Sequence, residues 1–220
     1  GRAIEATGRI EANDLSVLSG IAGVPLAGAS RLAFSIAGPT AESFIVNLEG
    51  TAEPALLTRL AGRSWPGGNL RLKGSLKLDE GRKLQLTDLV LADDAFRVSA
   101  AASMVFSDQS FSGEIDLKIP ELDLFSSVAG TPLSGLASFR ADFEGKSERV
   151  SAEAEGAFSN VYVDGFRVDQ GKIGLNARGG LSDIEGDLSV ELVSGGSGFH
   201  LSTGIQSNLK RIDLVGISFN

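Results

Sequence analysis

The chain has 220 residues, one histidine, no cysteine and a net charge of −8 at pH 7. The negative charge argues against nucleic acids as partners and against docking by charge on an anionic membrane, since both need clustered lysine and arginine. Without cysteine there are no disulfides and no thiolate zinc sites, and one histidine cannot build a multi-histidine metal site. No apolar run approaches the roughly 18 residues of a membrane-spanning helix, so we expect a soluble chain.

Strand-like patterns stand at both ends of the chain, from Ile4 to Ile10 and from Ile212 to Phe219. We interpret the chain as a piece of a longer protein, so targeting signals can lie outside it. At this length it holds one large domain or two small ones.

Three short helices interrupt a chain that otherwise reads as strands. They are predicted at 14–23, where Asn13 or Asp14 can act as the cap, at 54–62 and at 120–130. Each begins with a capping residue or proline and ends at glycine. Each spans only two or three turns, so tertiary packing must hold it in place.

Apolar and polar residues alternate through almost all the remaining sequence, in about a dozen runs typical of half-buried antiparallel strands. Turn signals separate the runs, for example at 79–81, 107–109 and 195–198. The alternation changes phase around Asp88, which predicts a bulge. The apolar positions of the clearest runs are the candidate lining of a groove: Leu70, Leu72, Leu76, Leu78, Phe96, Val98, Met104, Phe106, Phe111, Ile115, Leu117, Ile184, Leu188 and Val190.

A six-residue segment from Gly23 to Gly28 recurs 107 residues later, from Gly130 to Gly135. The similarity extends into the sequence on both sides and predicts a tandem repeat of about 107 residues, each copy a short helix, a turn and a meander of strands. We divide the chain into a first β-groove repeat, 1–110, and a second, 111–220, joined by a continuous sheet. Repeated units usually stack, because each buries its apolar face only with help from a neighbour.

A long sheet with one apolar face must hide that face from water. It can fold onto itself as a closed core, which is the commoner outcome, or curve into a trough that something apolar fills. The residues alone leave both alternatives open.

No combination of residues predicts catalysis. His200 lies between Phe199 and Leu201 in a run of alternating residues, so it is expected on the polar face. Trp65 is expected to anchor packing at a corner between helix and strand. The carboxylate pairs at 79–80 and 93–94 fall in predicted turns, where aspartate serves turn geometry. We therefore predict a protein that is not an enzyme, with no catalytic residues, no metal site and no cofactor.

Two stretches, Asp14 to Gly28 and Asp123 to Gly135, share a pattern of leucine, glycine and proline, and each precedes an alternating strand ending at Gly38 or Gly145. With the strand pair from Leu84 to Ala102, they make the chain resemble the C-terminal half of the TamB family, within the AsmA-like group. The resemblance covers nearly the whole chain.

The resemblance implies a mostly β fold, in which a long curved antiparallel sheet forms a taco-like hydrophobic trough. It further implies the periplasmic segment of a protein anchored in the inner membrane of a Gram-negative bacterium. The expected partners are the acyl chains of phospholipids carried between the two membranes and, through the full-length chain, a TamA-like outer-membrane barrel. The alternative is a chaperone-like module in the assembly and secretion of outer-membrane and autotransporter proteins.

Overall fold

Strands dominate the architecture. The computed structural model describes residues 3–19, 27–53, 55, 65–147, 149–180, 183–208 and 211–219. These residues form one antiparallel sheet of thirteen strands whose order in space is their order in sequence. The prediction of a mostly β, open and curved antiparallel sheet is confirmed.

The strands are mostly 9 to 12 residues long and lengthen in the middle of the chain. They are β1 (Ile4–Ala12), β2 (Ser30–Thr40), β3 (Ser43–Ala52), β4 (Leu70–Asp79), β5 (Lys83–Ala92), β6 (Arg97–Val105), β7 (Ser110–Ile119), β8 (Leu133–Lys146), β9 (Arg149–Val163), β10 (Phe166–Gly180), β11 (Asp183–Ser194), β12 (Ser197–Asn208) and β13 (Arg211–Phe219).

The first predicted helix is present as a short 3₁₀ helix, Leu15–Leu18. It begins after Asp14, whose carboxylate accepts a 2.8 Å hydrogen bond from the amide of Ser16. This is the capping role that an aspartate before a helix is expected to play. The predicted end of this helix, at Gly23, lies outside the described residues.

The helix predicted at 120–130 is a 3₁₀ turn, Leu122–Phe125, that continues as one α-helical turn, Ser126–Ala129. It ends as predicted at glycine, since Gly130 adopts the left-handed conformation with φ 75°. Of the helix predicted at 54–62, only Ala55 is described, and it is helical.

The bulge predicted near Asp88 is confirmed. Asp88 has φ 52°, and the register between β5 and β6 shifts between Leu86 and Leu89. The shift puts the leucines before and after it on the same face despite their different parity.

The turn from Gly130 to Gly135 requires its second glycine. Gly135 has φ 104°, and a Cβ there would lie 2.6 Å from the carbonyl oxygen of Asn160. No other residue fits this close approach without moving the neighbouring strand. The turn places the start of β8 at Leu133, as expected of a corner. Its predicted counterpart, from Gly23 to Gly28, lies mostly outside the described residues.

Two strand pairs lie at the spacing of the predicted repeat, 107 residues apart. Ile4 pairs with Gly38 in β1 and β2, and Phe111 pairs with Gly145 in β7 and β8, at the predicted spacing. The halves then differ, because β9 and β10 join through the short turn at Asp164 and Gly165, whereas residues 53–69 separate β3 from β4. The tandem repeat of whole halves stays a prediction. The sheet itself runs through the expected boundary, since β7 pairs with both β6 and β8.

Very little of this sheet is deeply buried. Among the described residues the buried hydrophobic side chains are Leu70, Ala92, Ala95 and Ala154. A closed core would bury many large side chains, so that alternative does not describe this part of the chain. No helix in the described ranges is long and apolar enough to cross a membrane.

Candidate functional site

Twelve of the fourteen predicted groove residues lie on one face of the sheet, which we call the apolar face. In antiparallel pairing, directly opposed residues point to the same side, so the register can be followed from strand to strand. One row across the sheet runs through Leu32, Gly50, Leu72, Leu91, Val98, Leu117, Phe139, Gly156, Ile173, Val190 and Leu201. The adjacent residues along each strand form the polar face.

The pairing places Leu78, Met104, Phe111 and Ile184 together in a second row nearer the hairpin tips. In other rows of the same face lie Leu70, Leu76, Ile115 and Leu188. Phe96 and Phe106 lie just before and just after β6. The structure therefore brings twelve of the predicted residues onto one face and places Phe96 and Phe106 at the ends of β6.

This surface is partly open to water. Met104 is 39%, Phe106 44% and Ile115 38% exposed, whereas Leu70 is only 3% exposed. Most other members are half-buried by their neighbours within the sheet. An apolar surface of this extent is unusual on a soluble protein unless something covers it.

Several members of the apolar face are missing from the predicted set. They include Leu89, Leu91, Phe139, Phe143, Ile173, Leu175 and Leu201, which the pairing places beside predicted residues. The signal for all of them is the same alternation of apolar and polar residues. For Leu89 and Leu91 the phase change at Asp88 hid it.

Aromatic rings on the apolar face lie over glycines of the neighbouring strand. The ring of Phe143 covers Gly113 and that of Phe111 covers Gly145, so that a Cβ on either glycine would overlap the ring. The two rings are themselves 6.4 Å apart. The glycines thus create the shallow positions into which the rings fit.

Trp65 anchors one corner of this face, as predicted. Its ring packs edge-on against Phe96, with centroids 5.7 Å apart, and against Phe125, with centroids 5.3 Å apart. Its Nε1 donates a 2.6 Å hydrogen bond to Asp93, whose other oxygen accepts from the amides of Ala95 and Phe96. Asp93 therefore has the predicted turn role.

The polar face carries exposed ion pairs. Arg140 of β8 lies 2.7 Å from Glu114 and 3.0 Å from Asp142. The hydrogen bond to Asp142, with the charges of Asp116 and Glu114, raises the pKa of Arg140. His200 pairs with Glu191 across the strands, with Nδ1 3.6 Å from Oε1, so its predicted place on the polar face is confirmed.

A cavity of about 1040 Å³ follows the sheet from β5 to β12. Its lining combines one row of the apolar face, from Leu86 to Ile205, with the polar rows on either side, which include Glu114, Glu144 and Arg178. None of the fourteen predicted residues lines it. The cavity and the predicted groove therefore share the sheet but are lined by different residues.

Among the described residues, ionisable side chains lie in exposed ion pairs or bond to nearby hydroxyl and backbone groups. These residues hold no cluster of three His, Cys, Asp or Glu that could bind a metal ion. Three carboxyls have a lowered pKa: Asp14, which caps the 3₁₀ helix, is held by the Ser16 hydroxyl, Asp108, in the turn before β7, by Ser110 and Lys146, and Asp169, in β10, by the Gly195 amide. Each of these carboxylates accepts hydrogen bonds that stabilise the structure around it.

Comparison of the chain with family models, with curated proteins and with solved structures gives no match. The features that bear on function are therefore the apolar face and the sequence patterns described above.

Proposed function

We propose that this chain is a non-enzymatic segment of a bacterial TamB-like protein, and that its apolar face takes up the acyl chains of phospholipids moving between the inner and outer membranes. The proposal includes a periplasmic location, an inner-membrane anchor elsewhere in the full-length protein, and a TamA-like outer-membrane partner reached through that full-length protein. The sequence patterns described above support the family; the exposed apolar face supports the ligand.

The observation that carries the proposal is the continuity of the apolar face. It extends from β1 to β12 without a charged side chain in the row through Leu72 and Val98. The described residues form one sheet, and none of them adds a second sheet over this face. When hydrocarbon covers this face, both partners remove apolar surface from water. Each Å² removed stabilises the complex by about 25 cal/mol.

A photo-crosslinking amino acid at Leu72 or Val98, in cells, tests the proposal directly. We expect capture of phospholipid at both positions. Lys73 and Ser99 are the matched controls, because each is the next residue of the same strand and points to the polar face. Crosslinks confined to the protein itself, at every position tested on the apolar face, would overturn the proposal.

A chaperone-like module for outer-membrane and autotransporter proteins is the second candidate. Exposed aromatic and aliphatic side chains such as Phe139, 41% exposed, and Phe199, 42% exposed, are also suited to the apolar side of a client strand. This candidate predicts crosslinks from Leu72 to other proteins and tolerance of charges on the apolar face. The same experiment therefore separates the two functions.

A further inference from the structure

In the region from β4 to β8, the two ends of the strands carry different side chains on the apolar face. One end, which we call the corner end, contains Trp65, Asp93, Ala95, Phe96 and Phe125. The other, the hairpin end, contains the turns between β4 and β5 and between β6 and β7, with Arg82 and Phe106.

Side chains close the corner end. Ala95 is 0%, Ala92 8% and Leu70 3% exposed. Trp65 bridges the aromatic rings of Phe96 and Phe125, and its hydrogen bond to Asp93 fixes the indole there. This end therefore presents a hydrocarbon wall with its polar atoms already paired.

The hairpin end is open. Phe106 is 44% and Met104 39% exposed, and the backbone amide of Phe106 donates to the carbonyl of Arg82. Arg82 is the last residue of the turn between β4 and β5 and therefore stands at this rim. Its side chain is exposed and forms no ion pair with the described residues.

The strands are longer than the acyl chains of one lipid, so a lipid can enter from one end and lie along them. β5 has 10 residues, about 33 Å of extended chain at ~3.3 Å per residue. The acyl region of one lipid leaflet is about 15 Å thick, half of a ~30 Å hydrocarbon core. A lipid with its phosphate at the rim thus extends its chains over the middle of β5 to β8 and toward the corner end.

We propose that the phospholipid lies in one direction on this part of the face, with its phosphate beside Arg82 at the hairpin end and its acyl chains pointing toward the Trp65 corner. This inference rests on the proposed function and adds the orientation of the ligand. The unpaired guanidinium complements the phosphate, and the closed aromatic corner offers no place for a charged head group.

The orientation can be mapped with phosphatidylglycerol that carries a photoreactive diazirine either near the carboxyl end or near the methyl end of an acyl chain. The wild-type chain is irradiated with each lipid, and the crosslinked residues are located by peptide mass spectrometry. We expect the carboxyl-end probe to label Met104, Phe106 and Phe111, and the methyl-end probe to label Leu89, Ala100 and Ile115, which share one row in the middle of the face. The reverse pattern, or the same pattern with both probes, overturns the orientation. Absence of labelling by both probes overturns the proposed function instead.

A variant tests the phosphate contact separately. Arg82→Gln is expected to lower capture of phosphatidylglycerol about fivefold, because one cation near an anionic lipid contributes ~1 kcal/mol. Lys83→Gln is the matched control, since the adjacent cation belongs to the polar face; its effect should stay under about twofold. Equal losses in the two variants would show a general charge effect and overturn the role of Arg82. Circular dichroism verifies that both variants keep their strand content.

Discussion

The indole Nε1 of Trp65 lies 2.6 Å from Oδ2 of Asp93, and this bond ties the segment before β4 to the turn between β5 and β6. The carboxylate is buried, with Asp93 only 8% exposed, and its other oxygen accepts two backbone amides. A Cβ on Gly67 would overlap the same carboxylate. One side chain thus organises the corner through three hydrogen bonds.

Replacing Asp93 with alanine should destabilise the fold by about 2 kcal/mol, because hydrogen bonds to a charged group contribute ~1.5–3 kcal/mol and their donors become unpaired. Urea denaturation, followed by the fluorescence of Trp65, measures the change. Asp94→Ala is the control: its side chain is exposed, and we expect a change within about 0.5 kcal/mol. Equal stabilities of the two variants would contradict this account of the corner.

Gly113→Ala should be destabilising by about 1–3 kcal/mol, since the new methyl group overlaps the ring of Phe143 and lies 2.8 Å from the carbonyl of Ala101. Gly198→Ala is the matched control in another strand, because nothing lies within 4 Å of its Cβ position. The control should be neutral or slightly stabilising.

Part of the Gly113→Ala loss should disappear when Phe143 is also replaced by alanine, and a double-mutant cycle measures that coupling. Additive effects of the two substitutions would mean that the ring does not occupy the glycine position.

Leu72→Arg should abolish lipid capture at Val98 while leaving the strand signal in circular dichroism nearly unchanged. The side chain is half-buried on an open face, so the charged group can reach water. Leu72→Met, which conserves volume, should retain capture. Collapse of the strand signal in the arginine variant would indicate that the face is closed by packing, contrary to the structure.

Stability should fall in acid. The hydroxyl of Ser16 lowers the pKa of Asp14, and the amide of Gly195 lowers that of Asp169. A carboxyl whose pKa is lowered by folding contributes stability above its unfolded value of about 3.9, and loses it as the pH falls through the folded value. We expect a constant urea midpoint from pH 7 to about 5 and a decrease below about 4.

The variant Asp169→Asn should reduce stability at pH 7 and show a weaker decrease in acid. Asp187→Asn is the control, because Asp187 is exposed on β11 and belongs to no ion pair among the described residues. Its stability should depend on pH as that of the wild type does. Identical profiles for wild type and Asp169→Asn would contradict the assignment.

The alternation of side chains predicted the sheet because each strand has one wet and one apolar side, and that pattern is local. The bulge near Asp88 and the helix cap at Asp14 were also predictable, because both features depend on residues that are close together in the sequence. The role of Trp65 followed from its place after a helix and before a strand.

The remaining features depend on pairing between strands. The register of β7 and β8 places Phe143 over Gly113 and Arg140 beside Glu114. The residue pattern alone does not determine this register. The cavity from β5 to β12 arises from the curvature of many strands together. Its row from Leu86 to Ile205 was missed for that reason.

The consecutive order of the thirteen strands has a mechanical consequence. Each strand is bonded only to its neighbours in sequence, so a force applied at the two ends of the sheet passes through every strand pair in series, and the weakest pair opens first. We expect the sheet to peel open strand by strand at low force, with each step releasing one strand and its connection. Such a sheet yields gradually under tension between two anchoring points instead of rupturing as a whole.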